Sequence, residues 1–309
     1  MHATSTPPRA GGRLISPVDG VSSRSWTRAL LDISDALRGR ELWSHLAWQD
    51  IKQRYRRSVL GPLWITLSMA VTAIGLGLLY SQLFGATIGA FLPYITVGFI
   101  VWAFLLGCLT EGADAFITNE GLIKHLPAPI TMYALRTVWR LTLMFAHNLI
   151  VYFAVLVIFY GTLSEPYEIT EGGGVLQPGL DWTVVLAIPA FALLAINGVW
   201  VTLLFGIIST RFRDIPQVIQ ALSSLLFFMT PIVWSTDILA AKWGEAATWR
   251  YLIAELNPLY HFIQIIRAPM VGNVQSWHHW AVVGAITVVG WCLALLVMRN
   301  YRARVSYWV

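Results

Sequence analysis

Charge is scarce in this chain. Of 309 residues, 12% are Asp, Glu, Lys or Arg and 57% are hydrophobic, against roughly 25% and 45–50% in ordinary soluble domains. A soluble fold is excluded on that balance. Lysine is rarer still: Lys52, Lys124 and Lys242 are the only three, and none precedes Ser or Thr. The GxxxxGK[ST] phosphate loop is therefore absent, and the chain cannot cradle ATP phosphates by that route. Cysteine is limited to Cys108 and Cys292, each inside an apolar run, without a CxxC pair or a His at ligand spacing. Neither a disulfide framework nor a structural zinc site is indicated, and no metal or cofactor is expected in this chain. The leader from Met1 to Arg40 has no apolar core of signal-peptide length and reads as a flexible polar tail.

What the chain does have is apolar runs. A helix crossing a hydrocarbon core of roughly 30 Å needs about 20 mostly apolar residues. Gly61 to Phe84, Leu92 to Thr110, Leu141 to Tyr160, Trp182 to Ile208, Ile215 to Thr236 and Trp280 to Met298 qualify without an acidic or basic residue. Six spans are expected. A further stretch, Tyr251 to Pro269, contains Glu255, Arg267, Pro258 and Pro269, and is expected to be a broken or re-entrant segment buried against protein, because unsatisfied backbone cannot face lipid. The expected division is a cytoplasmic tail (1–40), an amphipathic interface helix (41–60), a six-span membrane unit (61–298) and a cytoplasmic C-terminal tail (299–309).

Cytoplasmic flanks retain Lys and Arg. With the N-terminus inside and six alternating spans, 18 of the 21 basic residues fall inside. The expectation is a multi-pass protein of the plasma (inner) membrane with both termini cytoplasmic. The loop Gly161 to Asp181 carries four acids, no Lys or Arg, and the run Gly172 to Gly174; it reads as a flexible external loop. The net charge of +5 is dispersed over membrane flanks, which fits topology and anionic lipid headgroups and gives no sign of nucleic-acid binding.

The segment Glu41 to Leu60, ELWSHLAWQDIKQRYRRSVL, is the most informative. At 100° per residue Trp43, Leu46 and Ala47 share a face that Asp50, Arg54 and Arg57 continue, so an apolar stripe becomes a charged one. Such a helix lies in the headgroup plane and offers its charged half to phosphates or to a cytosolic protein, with Asp50 and Arg54 spaced for an i,i+4 pair. The plainer alternative is a positive flank before the first span.

Asp50 to Trp64, DIKQRYRRSVLGPLW, resembles the lead-in sequence of ABC transporter permeases that export polysaccharides of the O-antigen, capsule and teichoic-acid type. Asn119 to Pro129 is similar to that family's first cytoplasmic loop, although His125 and Leu126 stand where a basic residue and an aromatic are usual. Arg211-Phe-Arg-Asp-Ile215, Met229-Thr-Pro-Ile-Val-Trp234 and Leu256 to Phe262 with Arg267 follow in the family's order. The resemblance spans about Arg40 to Arg304. The tryptophan-rich form with acidic external loop looks most like the actinobacterial permeases that export lipid-linked galactan.

The resemblance implies a transport subunit, not an enzyme, that pairs with a second copy of itself and with two copies of a separate ABC ATPase, on which ATP and magnesium are bound. Leu122, Ile123, Lys124, His125, Leu126 and Pro127 would then form a short coupling helix seated on the ATPase; a plain turn is the alternative. A lipid-linked glycan carries a pyrophosphate that needs Arg or Lys where it arrives. Arg54, Arg56 and Arg57 are the candidates on one side of the membrane, and Arg267 on the other. Sugars stack on aromatic rings, so Trp64, Tyr94, Phe99, Trp102, Phe228 and Trp234 are candidates for the glycan path, with interfacial anchoring as the alternative role. His147, Asn148 and Asn197 fall inside spans and are read first as interhelical hydrogen-bonding groups.

Two other classes compete. A secondary transporter or flippase needs a titratable group at mid-membrane, and His147 is the one at hand. A membrane-embedded glycosyltransferase needs paired acids at a membrane face, for which Glu111 and Asp114 are the candidates.

Overall fold

The computed structural model describes residues 24–56, 58–61, 63–126, 128–170, 175–235 and 248–309. They are almost wholly helical; the extended pairings among them are two isolated bridges, Ala86 with Thr170 and Tyr167 with Gln177. In order the helices are α1 (Trp26–Arg38), α2 (Arg40–Arg54), α3 (Leu63–Phe84), α4 (Ile88–Asp114), α5 (Glu120–His125), α6 (Ile130–Ile158), α7 (Tyr160–Leu163), α8 (Ala187–Arg211, entered through a 3-10 turn, Trp182–Leu186), α9 (Ile215–Met229), α10 (Thr248–Leu256), α11 (Pro258–Val271), α12 (Trp277–Tyr301) and α13 (Val305–Trp308).

Five of these, α3, α4, α6, α8 with its 3-10 turn, and α12, are long and apolar enough to cross a membrane. The expected fifth span is different. α9 has 15 residues, about 22 Å at 1.5 Å per residue, short of the roughly 30 Å core. Pro231 is the cause: a residue before proline is pushed out of the α region, and Thr230 accordingly sits at φ −92°, ψ 132°. The expected break in Tyr251 to Pro269 occurs at Asn257. Its side chain accepts from Leu259 N at 2.9 Å and caps α11, whose first residue is Pro258, a residue pre-set for that position. Asn257 also donates to Thr230 Oγ1 at 2.8 Å, tying the break to the end of α9. Pro269 does not end α11, which runs on to Val271 and closes at Gly272 with φ +74°.

α4 is the hub, buried along most of its length against α3, α6, α8, α9 and α11. Its approach to α8 depends on missing side chains: a Cβ on Gly112 would stand 2.8 Å from Thr202 Oγ1 and 3.2 Å from Thr202 Cα. Small residues that let backbones approach are the usual means of packing helices in lipid. α3 lies at the edge, with Leu67, Val71, Ile74 and Leu78 exposed.

Two expectations about tails and loops are corrected. The leader is not a flexible tail throughout, because α1 packs on α6 and α12. Buried Asp32 accepts from Ile130 N (3.2 Å), Thr131 N (3.0 Å), Thr131 Oγ1 (2.7 Å) and Arg302 Nη1 (3.0 Å). It thus satisfies orphan donors at the start of α6, whose own N-cap, Pro129, has no side chain able to do so. The loop before α8 is also partly packed: Tyr167, buried, donates to Val271 O at 2.7 Å, and burial raises the pKa of its hydroxyl, so it remains a donor. Gly172 to Gly174 lie outside the described residues.

Candidate functional site

Where α2 crosses the ends of α4 and α6, five charged side chains meet. Arg136 and Arg140 are one turn apart on α6 and share a face. Arg136 donates to Asp50 Oδ1 at 2.6 Å and Oδ2 at 2.8 Å, and to Asn119 Oδ1 at 2.9 Å. Arg140 donates to Asp50 Oδ2 at 3.1 Å and to Glu111 Oε2 at 2.6 Å. Arg54 stands 3.8 Å from Glu111 Oε1. The side chains of Asp50, Arg136 and Arg140 are 14–18% exposed, so their hydrogen bonds are only partly screened by water.

This geometry corrects the expected Asp50–Arg54 pair. The stripe of α2 turns toward α6: Ala47 and Ile51 are buried, and Trp43 meets the edge of Trp139 with ring centroids 5.9 Å apart. Of the basic cluster, Arg54 is drawn to Glu111 and Met144, Arg56 is exposed, and Arg57 lies outside the described residues. Arg136 and Arg140 form an acid-binding pair absent from the sequence-based candidates; two arginines at i,i+4 opening an apolar helix were the available signal.

The same junction leads directly to α5. Asn119, bound by Arg136, precedes it and donates to Ala115 O at 2.7 Å. Lys124 bonds Glu120 at 2.6 Å, which holds the Glu120 carboxyl below its usual range, and His125 Nδ1 donates to Gly121 O at 2.7 Å. Leu122 and Ile123 are half-buried against the protein's own core, while Leu126 is 49% exposed. Pro127 lies outside the described residues. Glu111 belongs to the network, whereas Asp114 faces a surface cleft with Arg213, Gln217 and Gln220.

Five of the six candidate aromatics form one cluster between α4 and the end of α9. Phe99 stacks on Phe227 at 5.9 Å, Trp102 meets the same ring edge-on at 5.7 Å, and Phe227 meets Phe228 at 5.4 Å. Trp234 Nε1 donates to Phe228 O at 3.2 Å, and Tyr94 Oη donates to Trp234 O at 3.2 Å. Tyr94, Phe99 and Trp102 are buried; Phe228 is open on the outside of α9. Trp64 stands apart, exposed on α3. Arg267 is fully buried beneath this cluster, 3.9 Å over the Tyr94 ring, donating to Pro231 O at 2.9 Å and to Gln264 Oε1 at 3.1 Å. It braces the segment after α9 and is not presented to an arriving pyrophosphate.

The polar groups inside spans divide. Asn197 donates to Thr287 Oγ1 at 2.8 Å and accepts from Trp200 Nε1 at 2.6 Å, joining α8 to α12. His147 bonds Leu143 O of its own helix at 2.9 Å, and Asn148 is buried with its Oδ1 lacking a hydrogen-bond partner among the described residues.

The chain is similar in sequence to known proteins. An O-antigen export system permease protein of Klebsiella pneumoniae is 24% identical over 259 residues, covering 82% of this chain and 90% of the relative. A counterpart from Myxococcus xanthus is 26% identical over 221 residues, covering 71% and 76%. The family model described as ABC-2 type transporter matches residues 41–271, a range that takes in the α2–α6 network, α5 and the aromatic cluster. The chain therefore belongs to the ABC-2 type transporter family and is a multi-pass membrane protein of that family.

Proposed function

We propose that this chain is the permease subunit of an ATP-driven exporter that carries a lipid-linked polysaccharide, a galactan, from the cytoplasmic to the outer side of the plasma membrane. The observation that carries the reading is the ion network: α2 and α5, on the end of the molecule rich in Lys and Arg, are bonded through Asp50, Asn119, Arg136 and Glu111 to the ends of α4 and α6. A push on α5 is thereby passed through Asn119 to Arg136 on α6 and onward to Glu111 on α4. Lacking a phosphate loop, the chain takes its energy from a separate ABC ATPase, which holds ATP and magnesium. The relatives it resembles are named for O-antigen export, which supports a polysaccharide cargo.

In this reading both termini are cytoplasmic, residues 61–298 form the membrane unit, and the helix around 41–60 and the tail 299–309 face the ATPase side. Two copies of the chain join two ATPase copies. Leu122 to Pro127 rest on the ATPase, with exposed Leu126 as the apolar contact. Arg54, Arg56 and Arg57 receive the pyrophosphate. The cluster of Tyr94, Phe99, Trp102, Phe228 and Trp234 opens toward the second copy through Phe228, with Trp64 on the neighbouring exposed face.

The decisive experiment is co-purification with a candidate ABC ATPase subunit, followed by measurement of ATP turnover with and without lipid-linked galactan. A stable complex whose turnover rises with the glycan is expected. No complex, or turnover indifferent to every lipid-linked glycan, overturns the reading.

A further inference from the structure

Four metal-ligating side chains gather at the start of α12, a place the transport reading leaves unused. α10 brings Glu255, the first turn of α11 brings His261, and the first turn of α12 brings His278 and His279. The Asn257 break makes the meeting possible, because it turns the chain between Glu255 and His261 within six residues. Ligand atoms of Glu255, His261 and His278 all lie within 4.8 Å of one another. Glu255 Oε2 is 3.2 Å from His278 Nε2, and His261 Nδ1 is 2.8 Å from His279 Nδ1. At Zn–N distances of about 2.0–2.1 Å, ligand atoms on a tetrahedral ion stand about 3.3 Å apart, so the closest of these atoms must part by about half an ångström and the widest must close by up to about 1.5 Å.

The hydrogen bonding prepares one ring for this task. His261, buried, donates Nε2–H to the backbone carbonyl of Glu255 at 2.8 Å. In the neutral ring that leaves the lone pair on Nδ1, the nitrogen turned toward His279. A backbone carbonyl fixing the tautomer through the distal nitrogen is the usual support of a metal-bound imidazole. From this buried anchor the cluster opens outward through Glu255 to His278, whose side chain is 59% exposed, so an ion has a way in.

We propose that Glu255, His261 and His278 bind one divalent transition-metal ion of the zinc type, with His279 beside His261, tying α10, α11 and α12 together. Two imidazoles with a single carboxylate suit zinc, nickel or copper and are poor ligands for magnesium or calcium. The ion joins α10 and α11 to the last long helix. This site stands independently of the proposed cargo and of the orientation.

The test uses the full-length chain, purified in detergent without a polyhistidine tag, stripped with chelator and dialysed against zinc chloride in excess magnesium chloride. Mass spectrometry of bound metal should find one zinc per chain. His261→Gln and His278→Ala should each weaken zinc binding about tenfold or more, the scale on which metal sites respond to loss of support, while His45→Gln, outside the cluster, should leave it unchanged. His278 is exposed, so its variant folds whether or not His261→Gln does. Zinc should raise the melting temperature of the wild type and not of His278→Ala. Less than a quarter of an equivalent bound to wild type, or zinc held equally by His278→Ala, overturns the site.

Discussion

Asp50 on α2 accepts two hydrogen bonds from Arg136 on α6, at 2.6 and 2.8 Å, across 86 residues of sequence. Bidentate arginine–carboxylate pairs are directional as well as strong, so the pair fixes the angle at which α2 lies on the membrane unit. Removing one partner of a buried pair costs about 3–5 kcal/mol. With 14–17% of these side chains exposed, the cost should fall to about 2–3 kcal/mol. Asp50→Asn should destabilise the purified protein by that amount. Asp50→Asn and Arg136→Gln should also be strongly non-additive in a double-mutant cycle; additive effects would dissolve the network argument.

Leu126 and Ile123 separate two roles within α5. Because Leu126 is exposed and Ile123 half-buried in the chain's own core, Leu126→Asp should release the ATPase or uncouple it while leaving permease stability unchanged. Ile123→Asp should lower stability as well. Pull-down of the ATPase and melting temperature of the permease read the two effects, and normal export by Leu126→Asp would remove α5 from the contact.

Arg54, Arg56 and Arg57 should tolerate Arg57→Lys with a mild loss, since charge is kept and only the guanidinium fork is lost. The triple change to Gln should halt delivery and let lipid-linked glycan accumulate. Seven basic residues remain upstream of the triplet, so insertion should be normal by protein level and orientation. Normal export by the inserted triple variant would end the pyrophosphate assignment.

Gly112 and Gly75 make a matched pair. A methyl on Gly112 would meet Thr202, whereas around Gly75 nothing lies within 4 Å. Gly112→Ala should cost about 1–3 kcal/mol by overpacking, and Gly75→Ala should be neutral or stabilise by up to about 1 kcal/mol through helix propensity. Thermal unfolding in detergent decides; equal shifts would mean that α4 and α8 are not in close contact.

Orientation is checked by thiol labelling in intact cells. Starting from Cys292→Ser, because Cys292 is exposed and Cys108 buried, a cysteine in Gly172 to Gly174 should react with an impermeant external reagent and one at Arg304 should not. Equal labelling would reverse the charge argument.

The all-helical membrane class was legible in the apolar runs, because a long uncharged stretch has no other stable state in lipid. The break before Pro258 was legible from the proline itself, whereas Pro269 lies inside α11 and the Asn257 cap emerged only in the structure. Other features depended on partners remote in sequence. The helix that carries the expected Leu141 to Tyr160 span begins at Ile130, and its Arg136 and Arg140 are matched by Asp50 and Glu111, a compensation that a charge count along the chain cannot see. α1 is ordered because Asp32 caps a helix 98 residues away. α9 ends early at a proline whose carbonyl then serves Arg267. Sequence alone determined which segments prefer lipid, since that preference is a sum over neighbours along the chain. Which charges are matched, which aromatics share a cluster and which histidines meet were decided only by tertiary structure, because each depends on distances of a few ångströms between residues far apart in sequence.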